Sequence, residues 1–153
     1  MQTLFEDKKR TRTTPKKPGE GEYVFYDSSA RPEYDTYRAR LNDWIDEMPE
    51  DDRVKAIATF QKGGDLQYKA ALAELIVHAA LKRQGYDVQV HPACSHPTRK
   101  PDFLAQKDGK PVAFVEVTSF SPATLEVAQS KRDADVYNAL DKAKIPTGWR
   151  IGC

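Results

Sequence analysis

Two carboxylates in a predicted β-hairpin are the residues of this sequence best placed to do chemistry. Asp102 begins one predicted strand, a turn follows at Asp108-Gly109, and Glu116 lies in the next predicted strand, residues 112–118. With a three-residue loop over 108–110, Asp102 stands directly opposite Glu116 on the same face of the hairpin. A two-residue loop places the two side chains on opposite faces. The three-residue alternative predicts a paired acidic site.

Like charges facing each other across a hairpin repel, and a divalent cation removes that repulsion. Hard oxygen ligands suit Mg²⁺, with Mn²⁺ as an alternative ion, and Mg²⁺ retains waters and accepts a substrate phosphate. An acidic pair at a strand end can therefore form a site that cleaves phosphodiester bonds. The alternative interpretation is structural: Asp102 is a strand-end charge and Glu116 is a solvated strand residue, although Glu116 interrupts an apolar run.

The elements around this hairpin predict an α/β fold. Apolar residues recur at helical spacing over 33–48, and a shorter helix ends at Gly63-Gly64, so the two form a helical hairpin. The next helix is capped by Asp65 and ends at Gly85. Alternation over 86–90 predicts a strand. Ser121 and Pro122 are expected to open a last helix, and residues 149–153 to begin another strand.

This order resembles the restriction-endonuclease-like αβββαβ core of the PD-(D/E)xK nuclease superfamily. The likeness rests on Pro101-Asp102, on Glu116-Val117-Thr118 and on Glu74 in the preceding helix. The runs Glu74 to His78 and Pro101 to Leu104 also look like a group of bacterial proteins of unassigned function. The resemblance implies that Asp102, Glu116 and the Val117 carbonyl bind Mg²⁺, and that Glu74 supports the metal or its water as a further ligand.

The sequence departs from the superfamily pattern at one position. The third motif residue is usually a Lys that positions water and offsets charge on the phosphate, and here it is Thr118. Some members supply this Lys from the following helix, so Lys131 is our candidate catalytic cation, with Arg132 and Lys100 as the next choices. The alternative for Lys131 is a solvated helix residue.

Charge and composition suggest the domain organisation. Residues 1–18 carry six Lys or Arg against Glu6 and Asp7, without apolar periodicity, so we expect a disordered basic arm over 1–22. A helical region over 23–64 and a nuclease-like core over 65–153 follow. The arm is expected either to contact nucleic acid phosphates or to act as a solubilising tail that docks on the acidic helices.

Hydropathy and cysteine content narrow the class of protein. No apolar run is long enough for a membrane helix, so we expect a soluble, cytoplasmic protein with no membrane partner. The expected partner is nucleic acid, and the N-terminal helices are a candidate surface for a homodimer or another protein. His91, Cys94 and His96 are near each other but lack a fourth zinc ligand, which favours loop residues.

Two hypotheses about function follow from these observations. The first is a metal-dependent nuclease that uses Glu74, Asp102, Glu116 and Lys131. The second is a catalytically inactive nuclease-fold module that binds nucleic acid or a protein. For Glu74 a structural alternative also remains, a helix-edge hydrogen bond with His78 four residues later.

Overall fold

The computed structural model describes residues 3–93, 100–119 and 124–142, which belong to two compact units. The first unit comprises residues 1–14 and 21–120, and the second comprises residues 15–20 and 121–153. The described elements are helices and an antiparallel sheet of three strands, so the α/β class is confirmed at this level. No helix in the described ranges has the length and apolar character needed to cross a membrane.

Four helices form the first part of the larger unit: α1 (Glu22–Ser28), α2 (Pro32–Asp46), α3 (Glu50–Lys62) and α4 (Gly64–Arg83). The last three agree with the helices predicted from apolar spacing. The short α1 was not predicted. The prediction that Asp65 caps α4 is wrong, because α4 has no side-chain cap and the Asp65 carboxylate instead accepts the Glu22 N–H at 2.7 Å.

The core of this unit forms where the apolar stripes of α2, α3 and α4 meet. Each stripe contributes side chains that are almost fully buried, among them Ile45 from α2, Ile57 from α3 and Leu75 from α4.

The junction between α3 and α4 leaves no room for a side chain at Gly63. A Cβ on Gly63 would lie 2.5 Å from the Gln67 Cβ and 2.6 Å from the Thr59 carbonyl oxygen, so this position requires glycine.

The N-terminal residues 3–14 pack against these helices, so the expectation of a disordered arm is wrong for this segment. Leu4 and Phe5 are 0% and 2% exposed within the helical core. The Asn42 side chain accepts the Phe5 N–H at 2.9 Å and donates to the Phe5 carbonyl at 2.8 Å. Arg10 forms an ion pair with Asp27. Residues 3–14 therefore dock on the acidic helical region, which was the alternative interpretation of the charge of the arm.

The sheet contains β1 (Asp87–Val90), β2 (Phe103–Lys107) and β3 (Lys110–Val115) in the order β1-β2-β3, with both pairs antiparallel. The loop between β2 and β3 has two residues, Asp108 and Gly109, both with positive φ (52° and 72°) as a type I′ turn requires. Of the two loop lengths considered from the sequence, the structure therefore has the shorter one.

The register at the far end of the hairpin nevertheless agrees with the prediction. Lys107 pairs with Lys110, but Ala105 pairs with Ala113 and Phe103 with Val115. The extra residue on β3 is Val112, which forms a β-bulge. A two-residue loop changes the pairing register by one residue relative to a three-residue loop, and the bulge changes it back. Positions 102 and 116 therefore still face each other beyond the last pair.

The second unit contains α5 (Thr124–Lys142), which agrees with the last predicted helix. In this unit Gly19 has a φ of 75°, and a Cβ at that position would lie 3.2 Å from the Cβ of the buried Ala134. The predicted cap at Ser121-Pro122 and the predicted strand over 149–153 lie outside the described residues.

Candidate functional site

Asp102 immediately precedes β2, and its backbone and side chain both bind neighbouring strands. Its carbonyl oxygen accepts the His91 N–H at 2.8 Å, which extends the pairing of β1 with β2 by one residue. Its carboxylate Oδ2 accepts the Val117 N–H at 2.6 Å. This charge-assisted hydrogen bond fixes the carboxylate beside the backbone that carries Glu116 and Val117.

Glu116 directly follows β3 and is exposed to solvent. Because Phe103 pairs with Val115, the next positions outward on the two strands are Asp102 and Glu116. The hydrogen bond from the Val117 N–H to the Asp102 carboxylate keeps these two segments of the hairpin together. The structure therefore brings the segments of the predicted acidic pair together at one end of the hairpin.

Glu74 lies on α4 and is half-buried. Burial raises the pKa of the Glu74 carboxyl, the negative charge of Asp102 raises it further, and His91 opposes the rise. Glu74, Asp102 and His91 therefore interact electrostatically. Sequence reasoning assigned His91 to a loop and did not connect it with Glu74. His91 directly follows β1, and β1 pairs with β2, which begins directly after Asp102. This position was the signal that His91 would lie near Asp102.

The three candidate carboxylates form no ion pair in the part of the chain that the structure describes. No ion pair there involves Glu74, Asp102 or Glu116, whereas Asp27, Asp35, Asp46 and Asp52 each pair with Lys or Arg. These four lie outside the strand end. The negative charge at the candidate site is thus paired with no Lys or Arg among the described residues; the Val117 N–H binds the Asp102 carboxylate, and His91 acts on Glu74.

The cations expected from the sequence are all exposed. Lys131 and Arg132 lie on α5 in the second unit, and Lys100 lies shortly before Asp102. Thr118, which occupies the position of the motif Lys, is also exposed. The catalytic role of Lys131 remains a prediction.

His78 is a buried residue on the same helix as Glu74, one turn further along. It is 1% exposed, its ring centroid lies 5.8 Å from that of Phe103, and its Nδ1 has no hydrogen-bond partner among the described residues. Burial lowers the pKa of His78, and Lys82 lowers it further against the opposing effect of Glu47. His78 thus packs α4 against the residue that follows Asp102.

The donor atoms at this site suit Mg²⁺ in kind, since they are hard carboxylate and carbonyl oxygens. No group of three or more His, Cys, Asp or Glu side chains within residues 3–93, 100–119 and 124–142 is arranged to hold a metal ion. Mg²⁺ commonly binds through one or two carboxylates together with waters and substrate phosphates. The residues therefore fit an ion that is completed by substrate, and they do not form a preassembled cage. Cys94 and His96 lie outside the described residues.

Comparison with known proteins adds no relative to this picture. The chain matches no protein-family model, no curated protein and no solved structure.

Proposed function

We propose that this chain is a metal-dependent nuclease-like protein that hydrolyses phosphodiester bonds of nucleic acid. The order of α4, three antiparallel strands and α5 supports the first five elements of a restriction-endonuclease-like αβββαβ core. The proposed final strand, residues 149–153, lies outside the described part of the chain.

The observation that carries the proposal is that the Glu74 and Asp102 carboxylates lie close enough to interact at one strand end, with Glu116 at the facing backbone position. Asp102 is hydrogen-bonded to Val117, Glu116 occupies the facing position, and the charge of Asp102 raises the pKa of Glu74. Stability alone disfavours such an arrangement, because like charges opposite each other in a hairpin are destabilising. A ligand that carries positive charge accounts for it.

In the proposed site, Asp102, Glu116 and the Val117 carbonyl would hold Mg²⁺ or Mn²⁺. The ion would supply Lewis-acid activation of the phosphodiester and of a water. The Val117 N–H orients the Asp102 carboxylate, which reduces the freedom lost on binding. Glu74, half-buried on α4 and close enough to Asp102 to interact with it, would support the metal or its water.

The charge that develops on the phosphate needs a cation, and Thr118 supplies none. We propose that Lys131 provides it, with Arg132 or Lys100 as alternatives. Lys131→Ala is expected to lower the cleavage rate ~100-fold or more, because removing one such stabilising group has effects of that order.

The test is cleavage of labelled DNA and RNA, single- and double-stranded, with Mg²⁺ or Mn²⁺. The parent is compared with Asp102→Asn and Glu116→Gln, which remove charge at the strand end. Asp108→Asn is the matched control, because it removes a carboxylate from the same hairpin at the opposite end and Asn tolerates positive φ. Loss of cleavage in the first two variants and not in the control supports the proposal. Activity retained in Asp102→Asn refutes it.

A second candidate function is a nucleic-acid-binding module without hydrolysis. The absence of a three-ligand group among the described residues and the replacement of the motif Lys by Thr118 favour it. Salt-sensitive binding of nucleic acid by the parent, with no metal-dependent cleavage of any substrate, would favour this module over the enzyme.

A further inference from the structure

A cavity of about 270 Å³ lies between α3, α4 and the end of the sheet, within the larger unit. Glu74 and His91 line one side of it, so the cavity adjoins the candidate site. Sequence reasoning did not detect this cavity, because it depends on how α3 packs against α4.

The walls of the cavity are mostly apolar. Ala56 of α3 and Ala70 and Ala71 of α4 leave space between the helices, and Leu75 and Phe103 close it on the side of the sheet. Small side chains at facing positions of two packed helices leave a gap that larger residues would fill. The cavity therefore offers apolar surface to a ligand of small volume.

Polar groups line the same cavity at its helical side. Asp52, Lys55 and Thr59 come from α3, at helical spacing, and Gln67 comes from the first turns of α4. Gln67 carries both a hydrogen-bond donor and an acceptor, as the edge of a nucleobase requires. Lys55 is exposed and forms an ion pair with Asp52, so these two charges offset each other in the lining.

We propose that this cavity receives one unpaired nucleobase of the nucleic acid whose phosphate lies at the Glu74–Asp102 site. The volume lies just below the roughly 300–1,000 Å³ typical of small-molecule sites, so it suits one ring system rather than several. A base held in a duplex cannot enter such a cavity without leaving the stack. This inference rests on the proposed function and specifies its substrate as nucleic acid with an unpaired nucleotide.

The probes are two fluorescein-labelled DNA duplexes, one fully paired and one with a single unpaired thymine. Binding to the full chain is measured by fluorescence anisotropy without added metal, which separates it from cleavage. The parent should bind the duplex with the unpaired thymine ~10-fold more tightly, since one base held by a protein typically contributes an effect of this order. Equal affinity of the parent for both duplexes overturns the proposal.

Two variants test the cavity directly. Ala70→Leu fills it with a residue that favours helices, and Gln67→Met keeps the size of an exposed side chain while removing its amide. Ala73→Leu, on α4 but outside the cavity lining, is the control. Ala70→Leu should abolish the preference for the unpaired thymine and Gln67→Met should reduce it, whereas Ala73→Leu should retain it. Retention of the full preference in both cavity variants overturns the proposal.

Cleavage of the same duplexes with Mg²⁺ separates the two proposals. Selective binding without hydrolysis in the parent would refute the nuclease and keep the base-binding cavity. Hydrolysis that is lost in Asp102→Asn, with equal binding and cleavage of the two duplexes, would refute the cavity and keep the nuclease.

Discussion

The hydrogen bond between Asp102 and Val117 allows the charge of Asp102 to be separated from its structural contact. Asp102→Asn keeps an oxygen that can accept the Val117 N–H, and removes the negative charge that acts on Glu74. Asp102→Ala removes both. The difference between the two variants therefore isolates the hydrogen bond, and the difference between Asn and the parent isolates the charge.

Without metal, two effects of the Asn variant oppose each other. A hydrogen bond to a neutral oxygen is roughly half as strong as one to a carboxylate, which costs about 1 kcal/mol, while repulsion from Glu74 and Glu116 is relieved. We expect the free energy of unfolding to change by less than ~1 kcal/mol. The Ala variant leaves the Val117 N–H without its partner and should lose ~1–3 kcal/mol. At ~2–4 °C per kcal/mol for a chain of this length, its Tm should fall by roughly 2–12 °C.

With Mg²⁺ the order of the parent and the Asn variant should change. An ion that binds only the folded parent adds ~1.5 kcal/mol when its free concentration is about tenfold above its Kd. Asp102→Asn should gain almost nothing, because it lacks a ligand carboxylate. Asp108→Asn, at the other end of the hairpin, should gain as much as the parent.

Thermal unfolding followed by circular dichroism, with and without Mg²⁺, measures all of these differences. Parallel shifts of the parent and Asp102→Asn with Mg²⁺ would refute the metal site. Equal stability of the Asn and Ala variants without metal would show that the Val117 hydrogen bond does not stabilise the strand end.

Three further predictions concern stability. Phe5→Ala should lower the free energy of unfolding by ~3–5 kcal/mol in chemical unfolding, because Phe5 is buried and stacked on Tyr23. Asp7→Ala, at an exposed position, should change it little. A disordered arm predicts no difference between the two variants. Burial lowers the pKa of His78 in the folded chain from its ordinary value of 6.5, so below pH 6.5 the unfolded chain binds a proton that the folded chain does not. Lowering the pH below 6.5 should therefore destabilise the parent by up to ~1.4 kcal/mol per pH unit relative to His78→Leu. Equal pH profiles of stability for the two proteins would contradict this. Gly109→Ala should lower stability by ~1–2 kcal/mol in the same unfolding assay because of its positive φ, and an unchanged midpoint would argue against the type I′ turn.

The sequence predicts elements more reliably than it predicts how they are connected. The helices α2, α3 and α4 follow from apolar spacing, and Gly109 marks the turn of the hairpin. The expectation that a two-residue loop puts positions 102 and 116 on opposite faces is wrong, because the Val112 bulge compensates for the shorter loop. A bulge depends on how β3 packs and pairs, and its one local signal, Pro111, is equally explained by the edge position of β3 in the sheet.

The arm shows a different limit of sequence reasoning. Its high charge predicts disorder, but Leu4 and Phe5 supply enough apolar surface to join the helical core. Asp27 then pairs with the charge of Arg10, and Asn42 accepts the backbone N–H of Phe5. Composition averaged over eighteen residues concealed the two that decide the structure.

The replacement of the motif Lys by Thr118 removes a positive charge that would offset the candidate carboxylates. With Thr118 in that position, the described strand end holds Glu74, Asp102 and Glu116 without an ion pair. An incoming phosphate is itself negative, so a bound cation favours its approach to this strand end. Metal binding should therefore strengthen the binding of phosphate at this site. Nucleic acid that binds without metal must gain its affinity from other contacts, such as a base in the cavity between α3 and α4 or the exposed cations of α5.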